Sequence, residues 1–200
     1  MTTAGDRGTA SDQDELIVDA VERFLEREVR PHVRALEAAD EYPRELADRI
    51  ATLGLYGATI SPEYGGLGLS ATVYTRIVER IAAVWMSLCG LFNSHLITAA
   101  AIERFGTSEQ KQRLLPRLAS GSLRAGIALT EPGCGTDLQA VRTRAARVGG
   151  HYTVNGTKMW ITNSVEGDAL AVLVKTDPAA QPSHRGMSLL FVEKEMGFRS

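Results

Sequence analysis

The sequence has few residues of the types that build disulfide scaffolds or metal sites. It contains only two cysteines, Cys89 and Cys134, and they form no Cys-x-x-Cys pair. Its four histidines are scattered without the spacing of metal ligands. We therefore expect no disulfide framework, no metal site and reduced thiols. The histidines are His32, His95, His151 and His184.

Long apolar runs and an excess of one charge are also missing. Residues 1–14 are polar and acidic, without the basic flank and apolar run of a signal peptide, so we expect a cytoplasmic protein. The longest nearly apolar run, Ile81 to Phe92, is too short to span a bilayer, and we expect no membrane insertion. With 22 basic and 24 acidic residues the formal net charge is −2, which provides no basic surface for nucleic acid.

What the sequence does contain is enough apolar content, 44%, for a substantial core, and its first part has helical periodicity. We predict a helix from Asp12 to about Ala39, capped by Ser11 and interrupted by Pro31 because proline has no N–H. Four further helices are predicted at about residues 43–53, 70–82, 84–105 and 108–120. Either Thr107 or Ser108 caps the last of them.

A glycine pattern between two of these helices formally matches a dinucleotide-binding fingerprint. It reads Gly66-x-Gly68-x-x-Ala71. Such a fingerprint requires a strand that ends at the first glycine, and Pro62 and Glu63 occupy that position. We therefore favour a tight connection between helices.

The periodicity changes after Leu123. Short strands are predicted over residues 125–130, 141–148, 151–155, 157–162, 169–175 and 187–192, separated by glycine, Asn-Gly and proline-containing turns. The predicted fold class is α+β. An all-α helical domain over residues 1–123 is followed by an antiparallel β-barrel or sheet over residues 124–200.

Two segments of the β region contain the residue types that bind a planar polar heterocycle. The first is Leu129-Thr130-Glu131-Pro132-Gly133-Cys134-Gly135-Thr136-Asp137, and the second is Lys158-Met159-Trp160-Ile161-Thr162-Asn163. A planar polar heterocycle needs hydroxyl and N–H donors at its edge and an apolar surface against its ring. Its pyrophosphate needs glycines where backbone approaches closely. Together the segments provide all of these.

The first segment resembles the signature of the acyl-CoA dehydrogenase family, and the second resembles that family's second flavin segment. The order of helices and then strands is also similar to the family's first two domains. The resemblance implies an FAD-dependent enzyme that converts an acyl-CoA thioester to the 2-enoyl-CoA. It further implies electron transfer to an electron-transfer flavoprotein or similar acceptor, and a homo-oligomer, dimer or tetramer, at full length.

The resemblance also assigns residues. Thr130 corresponds to a threonine at the pyrimidine edge of the flavin, Thr162 to the residue near N5, and Trp160 to the aromatic against the ring. Read without the family, these could be ordinary strand threonines and a core tryptophan. The full set that we expect to bind FAD is Ile127, Leu129, Thr130, Gly135, Thr136, Trp160, Ile161 and Thr162.

The acyl substrate is expected to meet three residues, again by resemblance. Thr136 reaches the acyl-CoA from the pyrophosphate turn, and Phe92 and Ile97 lie on the helix that corresponds to the acyl-pocket wall. His95 lies on the same helix, where a lone histidine is more often a satisfied core residue than a functional one.

No residue of the chain is predicted as the catalytic base. In the family the base is a glutamate of a C-terminal helical domain, which has no counterpart in these 200 residues, and the middle domain is expected to be incomplete. Glu131, beside Pro132 and a turn, is expected to accept local backbone N–H bonds. Cys134 has no evident base beside it.

Two alternatives remain open. The same fold also serves acyl-CoA oxidases and flavin monooxygenases, in which oxygen reaches the reduced flavin. A third hypothesis is a non-catalytic, truncated flavin-binding chain.

Overall fold

The N-terminal part is helical, and its first predicted helix is interrupted at the proline. The computed structural model describes residues 12–200, so the predicted cap at Ser11 lies outside the described residues. Helix α1 (Asp12–Phe24) continues into a π-helical turn, Leu25–Val29, before α2 (Val33–Ala39). Pro31 lies in the gap between them, where its missing N–H costs the chain no helical hydrogen bond. Helix α3 (Arg44–Thr52) follows.

The long helix α4 (Ala71–Phe105) is two helices joined at a break. The Ser70 hydroxyl caps its start by accepting a hydrogen bond from the Val73 N–H at 3.3 Å. Trp85 then has φ −155° and ψ 102°, which separates the two helices predicted there. By length and composition α4 could cross a membrane, but half of its most apolar window is buried within the chain, as in the core helix of a globular domain.

Helix α5 (Ser108–Ala119) is capped by Thr107, the first of the two predicted caps. The Thr107 hydroxyl accepts from the Gln110 N–H at 3.2 Å, and the Gln110 side chain accepts from the Thr107 N–H at 2.9 Å. This reciprocal capping box satisfies two N–H groups of the first turn. Gly121, with φ 71°, turns the chain away into the β region.

The β region is a mixed sheet centred on β4, which corrects the prediction of a purely antiparallel one. Its strands are β1 (Ala125–Ala128), β2 (Arg144–Val148), β3 (His151–Asn155), β4 (Ala169–Lys175) and β5 (Met187–Glu193). Strand β4 pairs in parallel with β1, antiparallel with β5, and in parallel with β2 at Arg144↔Lys175. Strands β2 and β3 form an antiparallel hairpin. The parallel pairs arise because the long segment between β1 and β4 returns the chain to the same end of the sheet.

The strand predicted over residues 157–162 is not formed. Trp160 has φ 60°, a left-handed conformation that interrupts extended backbone. The Met159 N–H still donates to the Thr130 carbonyl at 2.9 Å, so the segment follows the end of β1 without pairing as a strand.

One hydrophobic core joins the helices to the sheet. The main cluster extends from α1 through α4 and α5 to Ala125 of β1 and Ala169 of β4. A smaller cluster, which includes Ala128 and Leu170, lies within the sheet. At Gly126 of β1 an added Cβ would lie 2.2 Å from the Thr162 carbonyl oxygen, so only glycine permits this approach. The close packing brings α4, β1 and the segment 158–163 together.

Candidate functional site

The two signature segments are joined by direct hydrogen bonds. The Met159 N–H donates to the Thr130 carbonyl at 2.9 Å. The Lys158 Nζ donates to the Leu129 carbonyl at 2.9 Å and to Glu131 Oε1 at 2.9 Å. The structure therefore brings Thr130 beside the segment that carries Trp160, although about thirty residues separate them in sequence.

Glu131 is a structural carboxylate. It is 7% exposed and accepts hydrogen bonds from the Arg142 N–H at 2.6 Å, the Thr143 N–H at 3.0 Å, the Thr143 hydroxyl at 2.6 Å and Lys158. Burial opposes ionisation, but these donors outweigh it and lower the pKa to about 2. Backbone N–H groups do bind this side chain, as predicted, but they come from the approach to β2 and not from its own turn.

The glycine loop after Glu131 is open and rich in unused donors. An added Cβ at Gly133 or Gly135 would meet no atom within 4 Å. In residues 12–200 the N–H groups of Gly135 and Thr136 have no acceptor. Adjacent free N–H groups in a glycine loop suit an anion such as a pyrophosphate.

Hydroxyl groups of the predicted site are likewise free. Within the described part of the chain, the side chains of Thr130, Thr136 and Thr162 form no hydrogen bond. The Trp160 side chain is 86% exposed, and Ile161 beside it is half-buried. Free hydroxyls, free N–H groups and an unsupported aromatic ring fit the needs of a flavin.

Thr162 lies in the crevice between α4 and β1. An added Cβ at Gly90 of α4 would lie 3.7 Å from Thr162 Cγ2, and one at Gly126 of β1 would collide with the Thr162 carbonyl. The small residues on both walls thus leave space for the backbone and side chain of Thr162.

Asn163 is a residue whose importance the sequence reasoning missed. Its Nδ2 donates to the Leu91 carbonyl of α4 at 2.8 Å and to the Ala125 carbonyl of β1 at 2.9 Å. It is 7% exposed and has φ 66°. The available signal was the residue type, because asparagine tolerates the left-handed region better than most residues.

His95 and Thr98 attach α4 to β1. His95 is fully buried, its Nδ1 accepts from the Ala125 N–H at 3.1 Å, and its Nε2–H donates to the Leu118 carbonyl at 3.1 Å. Burial lowers its pKa to about 4, so the ring is neutral. The Thr98 hydroxyl donates to the Gly126 carbonyl at 3.0 Å. His95 is thus a satisfied core residue, as its sequence context indicated.

The predicted acyl-pocket residues differ in their surroundings. Phe92 is fully buried, with its ring edge-on to Tyr74 at 6.3 Å between centroids. Phe92 therefore packs in the core, and its contact with substrate stays a prediction. Ile97, on the same helix, is 53% exposed and free to meet a ligand. Ile127 and Leu129 are half-buried at and just after the end of β1.

An open cavity of about 1290 Å³ lies over the sheet, beside the second signature segment. Leu170 and Val172 of β4 and Leu190 of β5 line it. Of the predicted flavin residues, only Trp160 and Ile161 contribute to its wall. Free donors, and not the size of this mostly apolar space, therefore mark the candidate cofactor site.

Comparison with family models assigns nearly the whole chain. The model described as "Acyl-CoA dehydrogenase, N-terminal domain" matches residues 11–122, and the model described as "Acyl-CoA dehydrogenase, middle domain" matches residues 126–200.

Curated relatives agree with this match. The chain is 32% identical over 189 residues to the mitochondrial isovaleryl-CoA dehydrogenase of Pongo abelii, which covers 93% of this chain and 45% of that protein. It is 35% identical over 184 residues to the (2S)-methylsuccinyl-CoA dehydrogenase of Cereibacter sphaeroides, which covers 92% of this chain and 33% of the relative.

Solved structures share the architecture. An acyl-CoA dehydrogenase from Geobacillus kaustophilus superposes with a TM-score of 0.86 at 37% identity, over 96% of this chain and 50% of that one. A glutaryl-CoA dehydrogenase from Mycobacterium smegmatis in complex with FADH2 superposes with a TM-score of 0.82 at 30% identity, over 92% of this chain and 46% of that one. The chain therefore spans about half the length, or less, of the relatives that it matches.

Proposed function

The chain belongs to the acyl-CoA dehydrogenase family, and on this premise we propose that it provides the flavin seat of an FAD-dependent enzyme that oxidises an acyl-CoA thioester to the 2-enoyl-CoA. The observation that carries the proposal is the direct bonding of the two signature segments beside three free threonine hydroxyls. We divide the chain into a helical domain, residues 1–123, and a flavin-binding domain, residues 124–200.

The residues of this chain bind and orient the cofactor in the proposed function. Thr130 and Thr162 offer hydroxyls to the polar edge of the ring, and donors there favour negative charge on the reduced ring. The free N–H groups of Gly135 and Thr136 hold the pyrophosphate. Trp160 covers the ring. Bound FAD would supply the acceptor for the hydride that leaves the β-carbon of the acyl chain.

Removal of the α proton needs a carboxylate other than Glu131. Four hydrogen-bond donors surround Glu131, and its pKa of about 2 makes it a poor proton acceptor near neutral pH. Following the family pattern, we assign the base to a carboxylate outside these 200 residues, in a longer polypeptide or a partner chain.

The partners proposed for the complete enzyme follow the family. They are an acyl-CoA substrate, an electron-transfer flavoprotein or similar acceptor, and further copies of the same protein in a cytoplasmic dimer or tetramer. Exposed Ile97 is the residue of α4 that we assign to the acyl chain.

Flavin titration of the purified chain tests the site. We expect a yellow protein with one FAD bound per chain, and Thr130→Val with Trp160→Ala to raise the dissociation constant at least about tenfold, since a hydroxyl donor and a stacking surface are lost. The control pair Thr72→Val with Met86→Ala changes an exposed threonine and an exposed apolar side chain of α4. Equal affinity of both pairs would contradict the assigned residues.

Substrate addition to the complete enzyme tests the reaction. Anaerobic bleaching of the flavin by acyl-CoA thioesters of varied length and branching is the expected result. Failure of every thioester to bleach it would exclude the proposed dehydrogenation. Peroxide release in air, without an acceptor protein, would instead identify an oxidase.

A further inference from the structure

The segment from Lys158 to Asn163 is hydrogen-bonded to neighbouring parts of the fold at both of its ends. Lys158 and Met159 bond to Leu129, Thr130 and Glu131 at one end. Asn163 bonds to α4 and β1 at the other end. Between these attachments lie Trp160, Ile161 and Thr162, the three residues of this segment in the proposed flavin site.

We propose that Asn163 is a positioning residue for this site, which holds Thr162 and Trp160 in place through its side-chain amide. This inference rests on the proposed function for its cofactor, but the attachment itself is a property of the chain alone.

The two bonds of Asn163 reach two different parts of the fold. One acceptor, the Leu91 carbonyl, belongs to α4, and the other, the Ala125 carbonyl, belongs to β1. Both bonds are buried, with Asn163 only 7% exposed, so losing the amide removes two buried hydrogen bonds. Thr162 directly precedes Asn163 and lies in the crevice between α4 and β1. The two bonds of Asn163 therefore also fix how deeply Thr162 sits in that crevice.

The attachment at Lys158 cannot replace the one at Asn163. Trp160 is 86% exposed, Ile161 packs only in part against the smaller sheet cluster, and the Ile161 carbonyl accepts from the Ser164 N–H at 3.2 Å within the same stretch of chain. None of these contacts ties the middle of the segment to α4 or β1 through a hydrogen bond. With the Asn163 end released, the residues from Trp160 to Thr162 would regain backbone freedom, and binding a flavin would have to order them again.

Asn163→Gly is the sharpest variant for a test. Glycine adopts the φ of 66° without strain, so the substitution removes the side-chain amide without imposing a strained backbone. Thr98→Val is the matched control, because it also removes a buried donor to a β1 carbonyl but does not touch residues 158–163. Urea unfolding of both variants measures their loss of stability.

Hydrogen exchange without flavin tests the attachment. In Asn163→Gly we expect the hydrogen-bonded amides in and next to the segment, those of Met159, Ser164 and Gly167, to exchange at least about tenfold faster than in the unchanged chain, with β1 and β4 less affected. In Thr98→Val the same amides should exchange as in the unchanged chain. Uniform acceleration over the whole chain in Asn163→Gly would overturn the proposal, since it would indicate general destabilisation.

Flavin affinity tests the consequence for the site. We expect the dissociation constant for FAD to rise about tenfold in Asn163→Gly and less than about threefold in Thr98→Val. Equal rises in both variants would overturn the positioning role. If the unchanged chain binds no flavin, the proposed function fails, and the exchange measurement still decides whether Asn163 holds the segment.

Discussion

At the scale of single residues, the polar side chains buried in this chain join segments that are distant in sequence. Glu131 links the signature loop to the approach to β2 and to Lys158. His95 links α4 to α5 and β1. Each of these groups has its hydrogen bonds satisfied, as burial of polar atoms requires. Glu131 therefore helps to position the two signature segments against each other, and His95 helps to position α4 against β1.

His95 makes stability depend on pH in a specific window. Its pKa falls from 6.5 to about 4 on folding, mainly by burial, so the folded chain binds fewer protons between these values than the unfolded chain. The stability that neutral His95 contributes is fully present above pH 6.5 and is lost as the pH falls towards 4. Between pH 7 and 5 this loss amounts to about 2 kcal/mol.

The variant His95→Gln separates the pH dependence of stability that comes from His95 from the pH dependence that comes from the carboxylates. Glutamine does not titrate, so we expect urea unfolding of the variant to show a smaller loss of stability between pH 7 and 5, by about 2 kcal/mol. Identical pH dependence of the two proteins would show that His95 does not titrate in this way.

At the scale of elements, local signals decide where helices begin and end, and packing decides where they bend. Thr107 starts α5, and Gly121 turns the chain after it. The break in α4 at Trp85 accompanies a tertiary contact, because its indole N–H donates to the Glu37 carboxylate of α2. That contact joins α4 to α2 at the residue where α4 is interrupted.

The capping box of α5 can be measured directly. Thr107→Ala removes the hydroxyl that accepts from the Gln110 N–H, so we expect it to lower the free energy of unfolding by about 1 kcal/mol. Ser108→Ala, one residue later, should change it by less than about 0.5 kcal/mol. Chemical denaturation compares them, and a larger effect at Ser108 would assign the cap to that residue instead.

At the scale of the whole molecule, the helical and β parts share one core. Buried residues form a continuous cluster from α1 to β4, and ion pairs cross the same boundary, as between Arg124 and Asp48 at 2.5 Å and between Arg113 and Glu193 at 2.7 Å. Neither part can unfold without exposing apolar surface of the other. The two signature segments therefore depend on the helical part and on the β part for their positions.

We expect unfolding to occur in a single cooperative transition. Helix content by circular dichroism and the loss of hydrogen-exchange protection in the buried strand β4 should show the same midpoint in urea, because the shared core couples the two parts. Two separate midpoints would show that the domains are independently stable.

Much of this architecture followed from the sequence because its causes are local. The helices through α5, the interruption at Pro31, the cap at Ser70 and the five strands depend on periodicity, proline and hydroxyl caps within a few residues. The motif containing Thr130 and the motif containing Trp160 were likewise readable as residue types at fixed spacing.

Tertiary structure alone decided the rest, because it depends on contacts between distant segments. The parallel pairing of β1 with β4, the left-handed turn at Trp160 in place of a strand, and the burial of Phe92 in the core have no local cause. The same holds for Asn163, whose amide acquires its partners only when α4 and β1 meet. The sequence thus determined which groups could hold a flavin, and long-range packing determined how they are held together.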